Sequence, residues 1–260
     1  MTAGAATIEM RGLAVTYRKG PAWRRILVPA VKHVDLAIAG GETLGLVGGS
    51  GSGKTTLGRV MLGLVRPTSG TFLFEGRPFE VRLRKQGALS VVFQHPEWAL
   101  NPRLRCGSSI AEPLRIQGVS RSVCREKVDG MLAEVGLDAE LAGRFPGELS
   151  GGQRQRMAIA RSLITRPRFI VFDEAVSALD VSVQSQVLNL IRTLRERQLG
   201  VVIISHNLAD VFDVADRIIV LRLGGRVATF DVHGVSAEDV VAAITGAEFG
   251  AAPDELEEPS

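Results

Sequence analysis

Apolar and polar positions change their spacing several times along the chain. From Thr7 to Tyr17 they alternate, the period of a half-buried strand, and Val31 to Ile38 alternates again before the turn Gly40-Gly41. Between them, Lys19 to Pro29 carries Gly20, Pro21, Pro29 and three charges, which predicts a loop and an antiparallel opening. The run Thr43-Leu44-Gly45-Leu46-Val47 is continuously apolar, as in a strand buried on both faces. Leu57 to Leu64 then places apolar residues at helical spacing. Gly70 to Phe74 and Leu89 to Phe93 read as strands on either side of the polar segment Arg77 to Gln86.

From Gly107 to Thr165 the period is helical, in the segments Ile110 to Gln117, Val123 to Val135 and Gly152 to Thr165, separated by glycines and prolines. Short apolar runs return at Phe169-Ile170-Val171-Phe172 and Val201-Val202-Ile203-Ile204, with a helix over Val183 to Arg197 between them. Ile218 to Leu221 is a further strand, and Ser236-Ala237-Glu238-Asp239 is a capping-box start for a short helix to Ile244. No internal repeat is visible. The pattern predicts an α/β core formed by 1–94 and 166–235, an all-helical insert over 95–165 and a terminal helix over 236–247. The acidic stretch 248–260 is expected to be a solvated, disordered tail.

Composition narrows the class. The chain has 260 residues, 45% hydrophobic and 23% charged, ordinary for a globular protein. Its two cysteines, Cys106 and Cys124, form no metal spacing and no disulfide framework, which fits a reducing compartment. A net charge of +3 gives no argument for nucleic acid as a partner. No run approaches the ~20 apolar residues of a membrane helix, and the first residues lack a signal-peptide pattern. The expectation is a soluble protein, or one held at a membrane by a partner.

Candidate chemistry begins with Gly48-Gly49-Ser50-Gly51-Ser52-Gly53-Lys54-Thr55-Thr56, set between the predicted strand and helix. Glycines without Cβ let backbone N–H groups turn inward around a phosphate chain, and the following helix points its positive end at the same anion. In such a loop Lys54 reaches the β- and γ-phosphates and the Thr55 hydroxyl ligates Mg²⁺. A second site is the strand end Phe172-Asp173-Glu174. Beside a phosphate loop, Asp173 can hold the metal through water and Glu174 can polarise the attacking water. Tyr17, the single tyrosine, can stack on an adenine base or pack in the core. The third feature is Leu149-Ser150-Gly151-Gly152-Gln153, an S-x-x-Q helix start with two glycines that leave backbone N–H groups open to an anion.

With these motifs in this order the chain resembles the ATP-binding-cassette (ABC) ATPases, over about Ile8 to Asp231, with Leu149 to Gln153 as the family signature. The resemblance implies a P-loop NTPase (RecA-like) core with an antiparallel β subdomain and an inserted helical subdomain, binding ATP and Mg²⁺. It implies Tyr17 as the adenine-stacking aromatic, Gly48 to Thr56 as Walker A and Asp173-Glu174 as Walker B with the general base. Gln94 would be the switch glutamine touching metal and water, Ser177-Ala178-Leu179-Asp180 the D-loop, and His206 the switch histidine on the γ-phosphate. Metal contacts would fall to Thr55, Gln94 and Asp173. In the family the signature caps the ATP of a second subunit, so Ser150, Gly151, Gly152, Gln153 and Asp180 would act in trans. Intact Glu174 and signature imply a hydrolytically competent subunit.

Phe93 to Arg103, the long loop before Val31 and Val176 to Gln184 resemble the oligopeptide, dipeptide and nickel importers, where the glutamine-loop surface receives the coupling helix of a membrane subunit. Trp98 would be an anchor there, or a core residue. Ala175 stands where proline is usual and His95 where aspartate is usual, and Ser205 to Arg217 and the tail through Ala247 resemble sugar-importer ATPases. The implied partners are a second ATPase subunit, transmembrane permease subunits and, indirectly, an extracytoplasmic solute-binding protein. The implied location is the cytoplasmic face of the membrane. The alternatives are a sugar-type importer, a soluble ABC ATPase without the usual second cassette, coiled coil or zinc cysteines, and a small P-loop kinase, which leaves the signature unexplained.

Overall fold

The structure is a computed structural model that describes residues 6–21, 24, 26–79, 87–95, 99–175 and 181–247. Trp98, the candidate D-loop 177–180 with Asp180, and the acidic tail lie outside the described residues.

Two sheets carry the fold. Strands β1 (Ala6–Lys19), β2 (Ile26–Ala39), β4 (Ser69–Phe74) and β5 (Arg77–Pro78) form an antiparallel sheet in the order β2-β1-β4-β5. The second sheet runs β10-β9-β3-β8-β7-β6, from β3 (Thr43–Gly48), β6 (Leu89–Phe93), β7 (Phe169–Asp173), β8 (Gly200–Ile204), β9 (Arg217–Arg222) and β10 (Gly225–Asp231). All its neighbours are parallel except β9 and β10. Its central strands are buried on both faces, which is why they read as unbroken apolar runs. Leu46, Val171, Val202 and Ile219 join one core with Leu57, Val60 and Met61 of helix α1 (Lys54–Met61) and with Ile8, Leu13 and Val34 of the antiparallel sheet. Ile170, Phe172, Val201, Ile203 and Val220 point the other way, into a second core.

That second core includes helices α5 (Val181–Glu196), α6 (Leu208–Val214) and α7 (Ala237–Thr245). It also takes in the helical region α2 (Cys106–Ile116), α3 (Arg121–Glu134) and α4 (Gly151–Leu163), anchored by Ile110, Leu132, Met157 and Ile159. Ser236 caps α7 with a capping box to Asp239. Among the described residues no helix is long and apolar enough to cross a membrane.

Three local features depart from the sequence pattern. The predicted loop Lys19 to Pro29 is largely hairpin, with Tyr17, Arg18 and Lys19 paired to Val28, Leu27 and Ile26. Proline is tolerated because β2 is an edge strand, and Ile26 and Leu27 are exposed, so burial gave no alternating signal there. Strand β10 carries exposed or half-buried residues and follows the Leu223-Gly224 turn, so its weak alternation went unread. Helix α6 spans two turns, capped by the Asn207 side chain on the Ala209 N–H, too short for a periodic pattern to stand out.

Candidate functional site

The parallel sheet gathers the candidate residues at one rim. Phe93, Asp173 and Ile204 stand side by side in β6, β7 and β8, and Ile204 pairs in turn with Leu46 of β3. Gln94, Glu174, Ser205-His206 and the loop from Gly48 therefore leave four neighbouring strands at their carboxyl ends. Loops there serve binding in open α/β sheets because successive connections diverge around a crevice.

The loop Gly48 to Gly53 is built against both sheets. A Cβ on Gly48, at φ +150°, would lie 2.1 Å from the Leu221 carbonyl oxygen, and one on Gly53 would lie 2.5 Å from that of Ala30. Only glycine lets the loop seat this closely. Ser52 is buried over Gly48, and its carbonyl accepts from the Gly224 N–H of the β9–β10 turn. Gly49, Ser50, Gly51 and Thr55 face outward, with nothing within 4 Å of the Cβ positions of Gly49 and Gly51, and Thr56 is half-buried on the first turn of α1. The result is an open backbone cradle at the start of a helix with no acidic residue in its first turn.

Lys54 is buried inside this cradle, its Nζ donating to the carbonyls of Gly48 (2.7 Å) and Gly49 (2.9 Å). Burial pushes its pKa down, while the carboxylates of Glu174 and Asp173 act in the opposite sense. Asp173 is the complementary case. Burial pushes its carboxyl pKa up and the charge of Glu174 adds to that, against the pull of Arg59, Lys54 and His206.

Glu174 adopts φ +54°, a left-handed conformation uncommon for a side chain of its kind. Its N–H still donates to the Ile204 carbonyl. His206 Nε2 lies 2.7 Å from Glu174 Oε1, so the candidate switch histidine and general base meet directly. Behind them Asp210 is buried and accepts from Asn207 Nδ2 (3.0 Å) and from Gln184 Nε2, which ties α6 to α5 just beyond His206. Burial pushes the Asp210 carboxyl pKa up.

Two groups of candidates stand apart. Tyr17 is half-buried on β1 and packs against the core shared by the two sheets. Ser150 to Gln153 begin α4, where Ser150 Oγ accepts from the Gln153 N–H (3.2 Å) and Gln153 Oε1 accepts from the Ser150 N–H (2.9 Å). The two glycines between them differ. Gly151 has open space where a Cβ would stand, whereas one on Gly152 would lie 2.7 Å from Val183 of α5.

The sequence reading passed over Gln155, fully buried in α4 and donating to the carbonyls of Phe93 (3.3 Å) and Ala175 (2.8 Å). Its signal was a polar residue on the helix face that also buries Ile159 and Ser162.

Comparison with known proteins adds a family match, two relatives and two solved structures. A family model described as ABC transporter matches residues 31–177, more than half of the chain. The oligopeptide transport ATP-binding protein OppF of Haemophilus influenzae is 46% identical over 207 residues, covering 75% of this chain and 61% of its own length. A putative peptide import ATP-binding protein of Brucella abortus is 46% identical over 218 residues, 80% of this chain and 65% of its own. The chain thus spans less than two thirds of these relatives' length. Among solved structures, a dimeric ATP-binding cassette in a post-hydrolysis state with ADP and Pi matches with a TM-score of 0.76 and 28% identity, covering 88% of this chain and 100% of that one. The fold also matches cbiO1 from Clostridium perfringens, part of the cbiONQ transporter complex, with a TM-score of 0.78 at 24% identity, covering 91% of this chain and 93% of that one.

Proposed function

The chain belongs to the ABC transporter family, and from that premise we propose that it is an ATP-binding and ATP-hydrolysing subunit powering import of a peptide-type solute through a membrane permease. The observation that carries this reading is the convergence of the glycine cradle, Gln94, Asp173-Glu174 and His206 on one rim of the parallel sheet. Phosphoryl transfer asks mainly for positioning and charge neutralisation, and that is what this rim supplies.

The donor set also fits a magnesium ion. A hydroxyl (Thr55), an amide (Gln94) and a carboxylate (Asp173) are hard oxygen donors, and the raised pKa of Asp173 marks a negative charge in want of a cation. Among the described residues no cluster of three or more His, Cys, Asp or Glu side chains forms a cage, which suits an ion held largely by phosphates and water. Bound there, the ion supplies charge neutralisation on the phosphates. Lys54 and the backbone N–H groups of the loop bind the phosphate chain, and Glu174 takes up the proton of the attacking water at its carboxylate. His206, already against Glu174, orients that carboxylate and reaches the terminal phosphate. Ser150 to Gln153 face away to complete the pocket of a second cassette.

A groove of about 590 Å³ supports docking to a permease. Leu62, Leu64, Phe93, Pro113 and Ile116 line it on one side and Ser90, Gln117, Arg161 and Thr165 on the other, with Leu64 and Ile116 exposed. A groove of this mixed kind suits a short amphipathic helix of a partner. The relatives' names favour peptides as the class of cargo, and an extracytoplasmic solute-binding protein would deliver it. The subunit would then sit at the cytoplasmic face of the membrane.

The test is the Glu174→Gln variant. It is expected to bind ATP as the wild type does, to lose turnover by about a hundredfold or more, and to elute as a dimer in ATP. Wild-type protein with no ATPase activity, or a variant that turns over normally, would overturn the assignment.

A further inference from the structure

Strand β6 closes one side of the parallel sheet, so among the described residues one of its edges has no strand beside it. The Ala88 carbonyl accepts from the N–H groups of Arg168 and Phe169. Successive carbonyls of a strand point to opposite sides, so those of Val91 and Phe93 face the open edge. Buried carbonyls need donors, and α4 supplies them from side chains. Ser162 Oγ donates to Val91 (2.8 Å) and Gln155 Nε2 to Phe93 (3.3 Å). The two donors are seven residues, two helical turns, apart and so share one face.

Gln155 does more than close the edge. The same Nε2 donates to the Ala175 carbonyl at 2.8 Å. Both neighbours accept, so the amide N–H₂ must face them, and Oε1 is buried with no partner among the described residues. One side chain thus holds the Phe93–Gln94 peptide and the carbonyl of Ala175, the residue that follows Glu174. Its helix is the one that Ser150 caps.

We propose that Gln155 is a positioning residue for ATP hydrolysis, its amide fixing the separation of Gln94 and Glu174 and coupling it to the orientation of the helix that carries Ser150 to Gln153. The proposal rests on the ATPase reading above. A tilt of α4 would move the Phe93 and Ala175 carbonyls with it, so the water-orienting pair is assembled only when that helix is seated.

The test compares Gln155→Leu, Gln155→Glu and Ser162→Ala with the wild type by ATPase kinetics and thermal melting. Gln155→Leu removes both donated hydrogen bonds at similar volume. It is expected to lower kcat by about tenfold or more, as misplaced reacting groups do, with KM for ATP nearly unchanged. Ser162→Ala removes the hydrogen bond to Val91 at the far end of the helix, leaves both Gln155 bonds that seat the helix at the site in place, and is expected to leave kcat nearly unchanged. Gln155→Glu sets a carboxylate against two carbonyls and can donate only when protonated, and burial raises its pKa. Its kcat relative to wild type should therefore climb as the pH falls from about 8 to about 6.

Equal losses in Gln155→Leu and Ser162→Ala, or a kcat ratio for Gln155→Glu that does not vary with pH, would overturn the proposal. If Gln155→Leu does not fold, the pH profile of Gln155→Glu decides alone. Wild-type protein without turnover would instead sink the ATPase reading, and this inference with it.

Discussion

Asp173 bears a costly charge on the rim. Its folded pKa is raised above the ordinary 3.8 by burial and then by Glu174. Such a carboxyl holds its proton longer in the folded than in the unfolded chain. Stability therefore falls as pH rises from 3.8 through the raised value, so the penalty bears on the fold at neutral pH. Asp173→Asn keeps the shape and deletes the charge. In a thermal melt at neutral pH without nucleotide it should raise Tm. That gain should shrink as the buffer is made acidic, and stabilisation by magnesium with ATP should be lost. A lower Tm at neutral pH would mean that Asp173 is already well compensated without a ligand.

At the scale of elements, the glycine loop is a contact between two sheets as much as a ligand cradle. Gly48→Ala drives a methyl group into the Leu221 carbonyl, so β3 and β9 must part. The cost should be about 2–4 kcal/mol in denaturant unfolding, in the range of overpacking combined with backbone strain. Gly51→Ala meets open space and carries only the conformational cost of φ +73°, so it should unfold within about 1–2 kcal/mol of wild type. The sequence made this loop legible because its constraint is local: the residues needed lie in one run. The rim was legible for a related reason, since each motif follows an apolar strand that announces itself. The contact between Glu174 and His206 could not be read, because it depends on which strands lie side by side. Nor could Gln155, whose partners sit 62 and 20 residues away. The arms of the β1–β2 hairpin were missed for the opposite reason, being too exposed to leave a pattern.

Across the whole molecule, a head-to-tail pair makes a quantitative demand. Ser150→Arg damages the surface offered to a partner, and Glu174→Gln damages the chain's own pocket. In a mixed dimer of the two variants both lesions fall in one pocket and the other is intact. Each variant alone should be nearly inactive, while an equal mixture should recover on the order of a quarter of the wild-type rate, since half of the dimers are mixed and each has one working site. A mixture as inactive as its components would show that Ser150 and Glu174 serve the same chain's nucleotide.

The neighbouring glycines at the head of α4 answer to different masters. Gly152 is hemmed in by Val183, while nothing crowds Gly151. A side chain added at the first of these disturbs the monomer's own interior, and heat or protease would reveal it. One added at Gly151 meets open space and is expected to leave the fold intact, and in a head-to-tail pair it would fail only on meeting its counterpart. Two adjacent codons therefore separate inherited or engineered faults of folding from faults of assembly.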